Sequence, residues 1–353
     1  MQNSNDKTRS VSLSIIMPVF NHRDDVATMI DSILANDYAD WELLAVDDGS
    51  APDTKDMLNG YAQKDSRIRV VCRDRQPKGA QTCRNIGLDT ACGEYAVFFD
   101  SDDYITPYCL RQRVETIAAH PECDFMVFPS GIYQADKFLA IASPYVYGYN
   151  IYKDDIAQFA SRQLPFIVWN NIYRTSALRN SGVRWDENLL SLQDADFNIS
   201  AIASGMKYKY ADGARPDYGY RTGSVSSVSK NIMGNSHIQS HLYANGKMYD
   251  VVSGFCGRRY NGSLFRGTLN LYNACMSGDG LNTPFACALA DTLRRRDPLH
   301  WIALRLQIAA SRMLGTFLPA KLARQLPMAL YLVSRNRQEK RKTDLLSAIV
   351  KNK

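Results

Sequence analysis

The sequence lacks any uninterrupted apolar run of the length that a membrane-spanning helix needs. Its first ten residues, MQNSNDKTRS, are polar and contain no apolar segment of the kind that forms a secretory signal. The eight cysteines are scattered and form no CxxC pair, which argues against a disulfide framework and against a zinc site. We therefore expect a cytoplasmic protein with reduced thiols, in which any metal ion is held by oxygen atoms.

Aromatic and basic residues are not interleaved in the manner of RNA-recognition proteins, so we expect no nucleic-acid partner. The 353 residues, 45% hydrophobic and 22% charged, suffice for a large folded domain with an appendage. Residues 230–353 carry 19 Lys and Arg against 6 Asp and Glu, whereas residues 1–229 carry 23 against 30. We predict a polar tail over residues 1–11, an α/β domain over 12–228 and a basic helical region over 229–353.

Strand-like and helix-like patterns alternate along the first 130 residues. The strand patterns cover 12–20, 41–50, 67–72, 94–100 and 124–130, and the helix patterns cover 24–36, 52–63, 79–91 and 107–119. This alternation predicts a mostly parallel, doubly wound sheet. Ligands bind outside the carboxyl ends of the strands in such sheets, so the residues that follow each strand are the first candidates for a site.

Two acidic clusters stand at these strand ends. Asp47 and Asp48 follow the second strand pattern, and Asp100, Asp102 and Asp103 follow the fourth. Closely spaced carboxylates suit a hard divalent cation, which typically takes one or two carboxylates and completes its shell with water and substrate phosphates. The clusters predict Mg²⁺ or Mn²⁺ bridging the protein to a diphosphate.

Helix capping is the alternative explanation of these acids. In DDGSAPD, Ser50 and Asp53 have the spacing of a capping box, and Pro52 suits a first helical turn. This explanation leaves Asp47 and Asp48 unused. It is weaker for DSDDYITP, where Thr106 and Pro107 already supply a cap and a first helical residue.

An ordered series of motifs resembles the family 2 glycosyltransferases, inverting nucleotide-sugar enzymes with the GT-A fold. The motifs are MPVFNHRDDV, ELLAVDDGS, KGAQTCRNIGLDTACGEYAVFFDSDD, WNNIYR, LQDADF and YGYRTGSVS. The similarity runs from about Ser12 to Ser227. It implies a Rossmann-like α/β/α sandwich and transfer of a hexosyl or N-acetylhexosaminyl group, from a UDP-sugar in the first instance, in cell-surface polysaccharide or glycan assembly.

The resemblance also implies roles for residues on the donor side. Pro18 and Val19 line the nucleotide site, Asp48 with Asp47 beside it contacts the nucleobase or ribose, and Arg84 lies near the nucleotide. DSDD resembles the family's DXD element, with Asp102 at the ribose and metal and Asp100 or Asp103 completing the metal shell. Arg221 neutralises the leaving diphosphate.

SLQDADF is the segment that would hold the catalytic base. The family usually has Glu-Asp here, and the Asp removes the proton of the acceptor hydroxyl in a single displacement. This chain has Gln193 and Asp194, so a neighbouring negative charge is missing. Asp194 is the predicted base and Asp196 the weaker candidate. A capping box from Ser191 to Asp194 is the structural alternative.

WNNIYR, residues 169–174, borders the acceptor site in the family. The resemblance implies acceptor contacts for Trp169 and Asn170, because an aromatic ring there can stack on a sugar face. Burial in the core is the alternative for the aromatic residues. The family's frequent Lys is Asn171 here, which favours neutral recognition of a saccharide or lipid-linked acceptor.

The basic C-terminal region allows two interpretations. Apolar residues alternate there with Arg and Lys, namely Trp301, Leu304, Ile308, Leu314 and Phe317. Such helices suit peripheral binding to an anionic membrane, here its inner face. They equally suit a helical bundle that packs on the α/β domain.

Two other functions share the predicted sheet and acids. A sugar-phosphate nucleotidyltransferase would have a glycine-rich phosphate loop near its first strand, and MPVFNHRDD contains none. A non-catalytic nucleotide-binding module would need no base. A glycosyltransferase is the favoured interpretation, because the motifs extend over donor and acceptor segments.

Overall fold

A computed structural model describes residues 11–222, 235–275 and 283–351. The predicted tail, apart from Val11, and the predicted boundary between residues 228 and 229 lie outside these ranges. The strands are β1 Leu13–Val19, β2 Trp41–Asp47, β3 Ile68–Cys72, β4 Tyr95–Phe98, β5 Tyr104–Ile105, β6 Phe125–Val127, β7 Ser130–Gln134, β8 Lys137–Leu139, β9 Asn171–Arg174, β10 Tyr208–Tyr210 and β11 Tyr218–Arg221. The first seven helices are α1 Arg23–Leu34, α2 Pro52–Lys64, α3 Ala80–Thr90, α4 Cys109–Ala118, α5 Asp155–Ala160, α6 Thr175–Asn180 and α7 Gln193–Ala203. The C-terminal helices are α8 Asn235–Cys256, α9 Asn261–Cys275, α10 Thr283–Arg296, α11 Pro298–Gly315, α12 Ala320–Gln325 and α13 Ala329–Lys351.

A seven-stranded sheet organises the α/β part in the order β10-β6-β9-β4-β1-β2-β3. Neighbouring strands are parallel except where β9 runs antiparallel to β4 and β6. All seven residues of β1 and all seven of β2 are buried. Parallel strands covered on both faces need such continuous apolar runs, because neither face meets water. The predicted mostly parallel α/β sheet with a helical C-terminal region is confirmed.

A smaller four-stranded sheet has the order β5-β11-β7-β8. Its strand β5 follows the acidic cluster after β4 and pairs antiparallel with β11, so that Ile105 stands opposite Tyr218. This pairing carries residues 218–221 to the carboxyl end of β4. The second sheet therefore assembles part of the site from a segment more than a hundred residues further along the chain.

A buried ion pair ties α4 to the start of β11. Arg113 donates from Nη2 to Asp217 Oδ1 at 2.7 Å and from Nε to Oδ2 at 3.0 Å. Neither side chain is exposed to solvent. The third donor, Nη1, reaches the carbonyl oxygen of Trp169 at 2.8 Å. A bidentate pair whose remaining donor is also satisfied is the arrangement that makes buried charges tolerable.

The C-terminal helices share a hydrophobic core with the main sheet. Phe98 of β4 and Leu304 of α11 belong to the same cluster of buried side chains. Of the two interpretations of this region, packing on the α/β part is the one that Leu304 and Ile308 follow, since they are 0% and 5% exposed and face the core. Trp301 packs against the same core. None of the described helices is long and apolar enough to cross a membrane.

Candidate active site

The acidic loop between β4 and β5 brings Asp100, Asp102 and Asp103 together at the carboxyl end of the main sheet. Asp103 points inward and is 2% exposed. Its two oxygens accept hydrogen bonds from the hydroxyl of Tyr218 at 2.8 Å and from the backbone N–H of Arg221 at 2.7 Å. Asp103 thus anchors the loop to β11, which leaves Asp100 and Asp102 on the cleft side.

Crowding of negative charge dominates the electrostatics of this loop. Desolvation and the charge of Asp100 raise the pKa of Asp102 to about 6, although the outer edge of that side chain reaches solvent. Burial and both neighbouring carboxylates raise the pKa of Asp103 well above its usual value. A cation beside Asp100 and Asp102 would remove this repulsion.

The residues present fit a divalent cation only in part. The described residues contain no group of three or more His, Cys, Asp or Glu side chains arranged to hold a metal. Asp103 is the least accessible of the three predicted ligands, because it is buried and each of its oxygens accepts a hydrogen bond from a protein donor. Asp100 and Asp102 remain, and two carboxylates completed by water and diphosphate oxygens are a usual Mg²⁺ environment.

Arg84 of α3 lies between the acidic loop and α7. Its Nη2 is 2.5 Å from Asp100 Oδ1, and its Nη1 is 3.3 Å from Gln193 Oε1. The guanidinium also stacks over the ring of Trp185, with its carbon 4.4 Å from the ring centroid. Its buried Nε has no hydrogen-bond partner among the described residues. Arg84 therefore links the two predicted halves of the site and retains a donor for a further anion.

Arg221 of β11 reaches the same loop from the opposite side. Its Nε donates to the carbonyl oxygen of Asp102 at 2.6 Å and lies 3.5 Å from Asp25 Oδ1. Nη2 is buried and has no partner in the described ranges. Two arginines with unused donors, on either side of an acidic loop, form a cleft that can receive phosphate oxygens.

The end of β2 forms the third wall of the cleft. Asp48 pairs with Arg73 at 2.5 Å, and Asp47 Oδ1 accepts the backbone N–H of Ser50 at 2.9 Å. Val19 contributes its carbonyl oxygen, which accepts the N–H of Asp48 at 2.8 Å, while its side chain is 1% exposed. Pro18 is buried in β1. Ser50 does not cap α2, because its hydroxyl accepts the backbone N–H of Asn21 instead.

Asp194 lies in the first turn of α7, on the cleft side of Arg84. Burial raises the pKa of its carboxyl to about 6, with the charge of Asp100 adding to this and the charge of Arg84 opposing it. The backbone of Val168 also opposes this rise in pKa. A carboxyl that lies beside an arginine and whose pKa is raised to about 6 is suited to accept a proton.

The other interpretations of this segment do not hold. The residue before α7 is Leu192, and no side chain caps the helix, so the capping box from Ser191 to Asp194 does not form. The Ser191 hydroxyl lies 2.9 Å from a ring nitrogen of His237 instead. Asp196 pairs with Lys247 of α8 at 2.8 Å, and it is 5% exposed. Asp196 therefore joins α7 to the C-terminal helices.

The two predicted acceptor residues, Trp169 and Asn170, are both buried in this structure. Trp169 is 2% exposed and stacks on Tyr218 with ring centroids 4.5 Å apart. Asn170 is fully buried, and its amide donates to the carbonyl oxygen of Phe128 at 2.8 Å. Asn171 is equally buried and donates to the Tyr173 hydroxyl at 2.7 Å.

Sequence reasoning missed three contributors. Tyr218 joins the backbone N–H of Asp100 to the Asp103 carboxylate through its hydroxyl. Arg73 pairs with Asp48, and the ammonium of Lys78 lies 3.4 Å from the ring centroid of the exposed Phe20. Tyr218 was recognisable, since it stands three residues before Arg221 in the motif YGYR. Lys78 was also recognisable, since it is the first residue of the motif KGAQ, whereas Arg73 follows a strand without a motif of its own.

Comparison with known proteins agrees with this geometry. Residues 14–182 match the model of glycosyl transferase family 2. The uncharacterized glycosyltransferase EpsJ of Bacillus subtilis is 26% identical over 275 residues, which are 75% of this chain and 78% of that protein. The amylovoran biosynthesis glycosyltransferase AmsB of Erwinia amylovora is 26% identical over 208 residues, covering 57% and 67% of the two chains.

Solved structures show the same fold. The crystal structure of S. aureus TarS 1–349 in complex with UDP-GlcNAc superimposes with a TM-score of 0.64 at 17% sequence identity. The match covers 93% of this chain and 92% of that one. It therefore includes the helical C-terminal region as well as the α/β part.

Proposed function

We propose that this chain, whose residues 14–182 match glycosyl transferase family 2, moves a sugar from a UDP-sugar to a saccharide or lipid-linked acceptor with inversion. The observation that carries the proposal is the position of Arg84 between Asp100 and the first turn of α7, which puts a donor-binding loop and a base in one cleft. AmsB acts in amylovoran biosynthesis by its name, and we propose cell-surface polysaccharide assembly for this chain too.

The proposed reaction is a single displacement. Asp194 accepts the proton of the acceptor hydroxyl while that oxygen attacks the anomeric carbon from the face opposite the diphosphate. The bond between the anomeric carbon and the diphosphate oxygen breaks, and the nucleoside diphosphate leaves with the bonding electrons. The buried donors of Arg84 and Arg221 stabilise its growing negative charge.

The residues that line the cleft suggest which side chains bind the nucleotide sugar. Asp48, paired with Arg73, borders the nucleoside end together with Asp47 and the strand end at Pro18 and Val19. Asp100 and Asp102 would hold Mg²⁺ or Mn²⁺, which supplies positive charge to the diphosphate. TarS was crystallised with UDP-GlcNAc, and we propose a UDP-hexose or UDP-N-acetylhexosamine as the donor class here.

A panel of nucleotide sugars tests the function. We expect the protein with Mn²⁺ to release UDP slowly from one UDP-sugar in water and faster with an acceptor, and to leave UTP intact. Release of pyrophosphate from UTP and a sugar 1-phosphate would instead identify a nucleotidyltransferase. Thermal stabilisation by UDP with no turnover of any donor would identify a binding module.

We also propose that α11 carries a membrane-docking face, formed by Leu299, Ile302, Leu306, Met313 and Phe317. Spacings of three, four and seven residues put the first four on one side of the helix, and Phe317 follows just after its end. Their exposed fractions are 78%, 50%, 67%, 64% and 81%. Contiguous exposed apolar side chains of this size mark an interaction surface.

Basic residues favour an anionic bilayer as the partner of the α11 face. Arg305 and Arg312 are exposed along one edge of the face, and Arg294 and Arg295 are exposed at the end of α10. Each basic side chain near an anionic leaflet contributes about 1 kcal/mol of binding free energy, within a Debye length of roughly 8 Å. Binding should therefore be peripheral, salt-sensitive and dependent on the apolar residues.

The double variant Leu306→Glu, Met313→Glu is expected to lose most of its binding to anionic vesicles, because two carboxylates would have to enter the interface. Co-sedimentation with anionic and neutral vesicles at low and high salt measures this. The control Gln63→Glu, Lys64→Gln lowers the net charge by the same amount on exposed positions of α2. Equal binding by both variants, or a salt-independent self-association of the wild type, would contradict membrane docking.

A further inference from the structure

A cavity of about 530 Å³ lies between the segment 144–164 of the α/β part and helices α9 and α13. Tyrosine and basic side chains dominate its wall. The residues used below are Tyr147, Tyr152, Arg162, Arg266, Lys340 and Lys342. This cavity is a concave surface, bordered by Tyr147, that could hold an acceptor.

Positive charge exceeds negative charge in this wall. Four of the lining residues are Arg or Lys, whereas Glu339 is the acidic one. Concave surfaces that carry one sign of charge concentrate ligands of the opposite sign. The excess of positive charge in the wall therefore favours an anionic ligand over a neutral one.

Lys342 of α13 is the most informative of these cations. Its Nζ lies 4.6 Å from the ring centroid of Tyr147 and 3.4 Å from the carbonyl oxygen of Pro144. Burial lowers the pKa of this ammonium group to about 8. The charge of Glu339 opposes this lowering, and the hydrogen bond to a carbonyl and the ring contact hold the ammonium at the cavity wall. A half-buried cation held in this way is prepared for an external anion.

Tyr147 connects the cavity to the catalytic cleft. Its ring meets the edge of Trp169 with centroids 5.9 Å apart. Trp169 follows Val168, whose backbone acts on the pKa of the Asp194 carboxyl. The charge of Asp194 is among the causes that raise the pKa of the Tyr147 hydroxyl to about 12, with burial as the largest. The same side chain thus belongs to the cavity wall and stands near the base.

We propose that this cavity binds the acceptor, and that the acceptor is an anionic saccharide whose phosphate or carboxylate group pairs with Lys342 and the neighbouring arginines. The rings of Tyr147 and Tyr152 offer apolar faces for the sugar, and the acceptor hydroxyl extends past Tyr147 towards Asp194. The inference rests on the proposed glycosyl transfer and names the substrate class on its acceptor side.

The test compares charged and neutral acceptors. Calorimetry and transfer assays would use a sugar 6-phosphate, a hexuronate oligosaccharide and a neutral oligosaccharide of equal length. We expect the charged probes to bind about tenfold or more tightly than the neutral one, as charge-assisted hydrogen bonds provide. Lys342→Met should raise KM for charged acceptors by a similar factor, Lys342→Arg should restore it, and release of UDP to water should not change.

Controls separate the inference from the function and from folding. Lys64→Met removes an exposed charge on α2 and should leave every acceptor constant unchanged. Arg266→Gln, at an exposed lining position of α9, tests the cavity should Lys342→Met prove unstable. Equal use of charged and neutral acceptors, or an unchanged KM in both cavity variants, would overturn the inference even with UDP release intact. No UDP release in the wild type would overturn the proposed function itself.

A final experiment tests whether the anionic acceptor is lipid-linked or soluble. A lipid-linked saccharide diphosphate in nanodiscs and a soluble phosphorylated glycan present the same chemistry to the cavity. A Lys342→Met defect with either substrate supports the anionic subsite and names its source. A defect with neither contradicts it.

Discussion

Replacing Asp194 with Asn is expected to lower sugar transfer by about 10²-fold or more while leaving the affinity for UDP nearly unchanged. The amide keeps the size of the side chain but cannot accept the acceptor proton. In the wild type the carboxyl titrates near pH 6, and only its deprotonated form acts as base. Transfer should therefore fall as the pH drops below about 6 and level off above it, and the variant should lose this acidic limb.

Asp196→Asn is the matched control for the base. Asp196 stands two residues further along the same helix, but its carboxylate pairs with Lys247 at 2.8 Å. Its loss should lower the melting temperature and spare kcat. Steady-state kinetics and thermal melts on both variants separate the roles. Near-normal transfer by Asp194→Asn together with a large loss in Asp196→Asn would make Asp196 the base.

Asp102→Asn should weaken UDP binding by about 10- to 100-fold in the presence of Mg²⁺ or Mn²⁺, the range seen when the surroundings of a metal are altered. The substitution keeps the shape of the side chain and removes one of the two carboxylates on the cleft side of the loop. Chelation should weaken wild-type binding by a similar factor and change the variant little. Calorimetry with UDP, with and without metal, measures both effects.

Asp103→Asn distinguishes a ligand from an anchor. Its oxygens are engaged by the Tyr218 hydroxyl and the Arg221 backbone, so the variant should lose thermal stability and keep its metal dependence. UDP affinity that ignores chelation in the wild type would remove the metal from the proposal. A metal dependence lost in Asp103→Asn alone would place Asp103 in the ligand set.

The sequence predicted the architecture and the acidic edge of the sheet because both depend on local periodicity. The run Leu13–Val19 is apolar throughout, and it forms a strand buried on both faces. Parallel strands end at one edge, so acids that follow β2 and β4 had to gather there. The bounds of β1, β2 and α2 differ from the predicted ones by no more than three residues.

The sequence could not place residues whose environment comes from distant segments. Trp169 stacks on Tyr218, and the motif WNNIYR alone does not indicate that Tyr218 would be its partner. Asp194 and Asp196 look alike in sequence until Lys247 pairs with the second. Helix α11 is apolar on two sides, with Leu304 in the core and Leu306 in solvent. A periodic pattern cannot say which side is which, because that depends on where the core lies.

The bidentate ion pair between Arg113 and Asp217 limits where the chain can be truncated without loss of stability. The family match ends at residue 182, whereas the anion that neutralises Arg113 comes from residue 217. A fragment truncated at the end of the match would bury a guanidinium without its counterion, a loss of about 3–5 kcal/mol set against a total stability of roughly 5–15 kcal/mol for a domain. The smallest piece able to fold independently therefore extends beyond β11, and a chimaera that exchanged acceptor specificity at residue 182 would separate a cation from its partner. A crossover between residues 113 and 217 would separate this ion pair, so a segment meant for exchange should begin after residue 217.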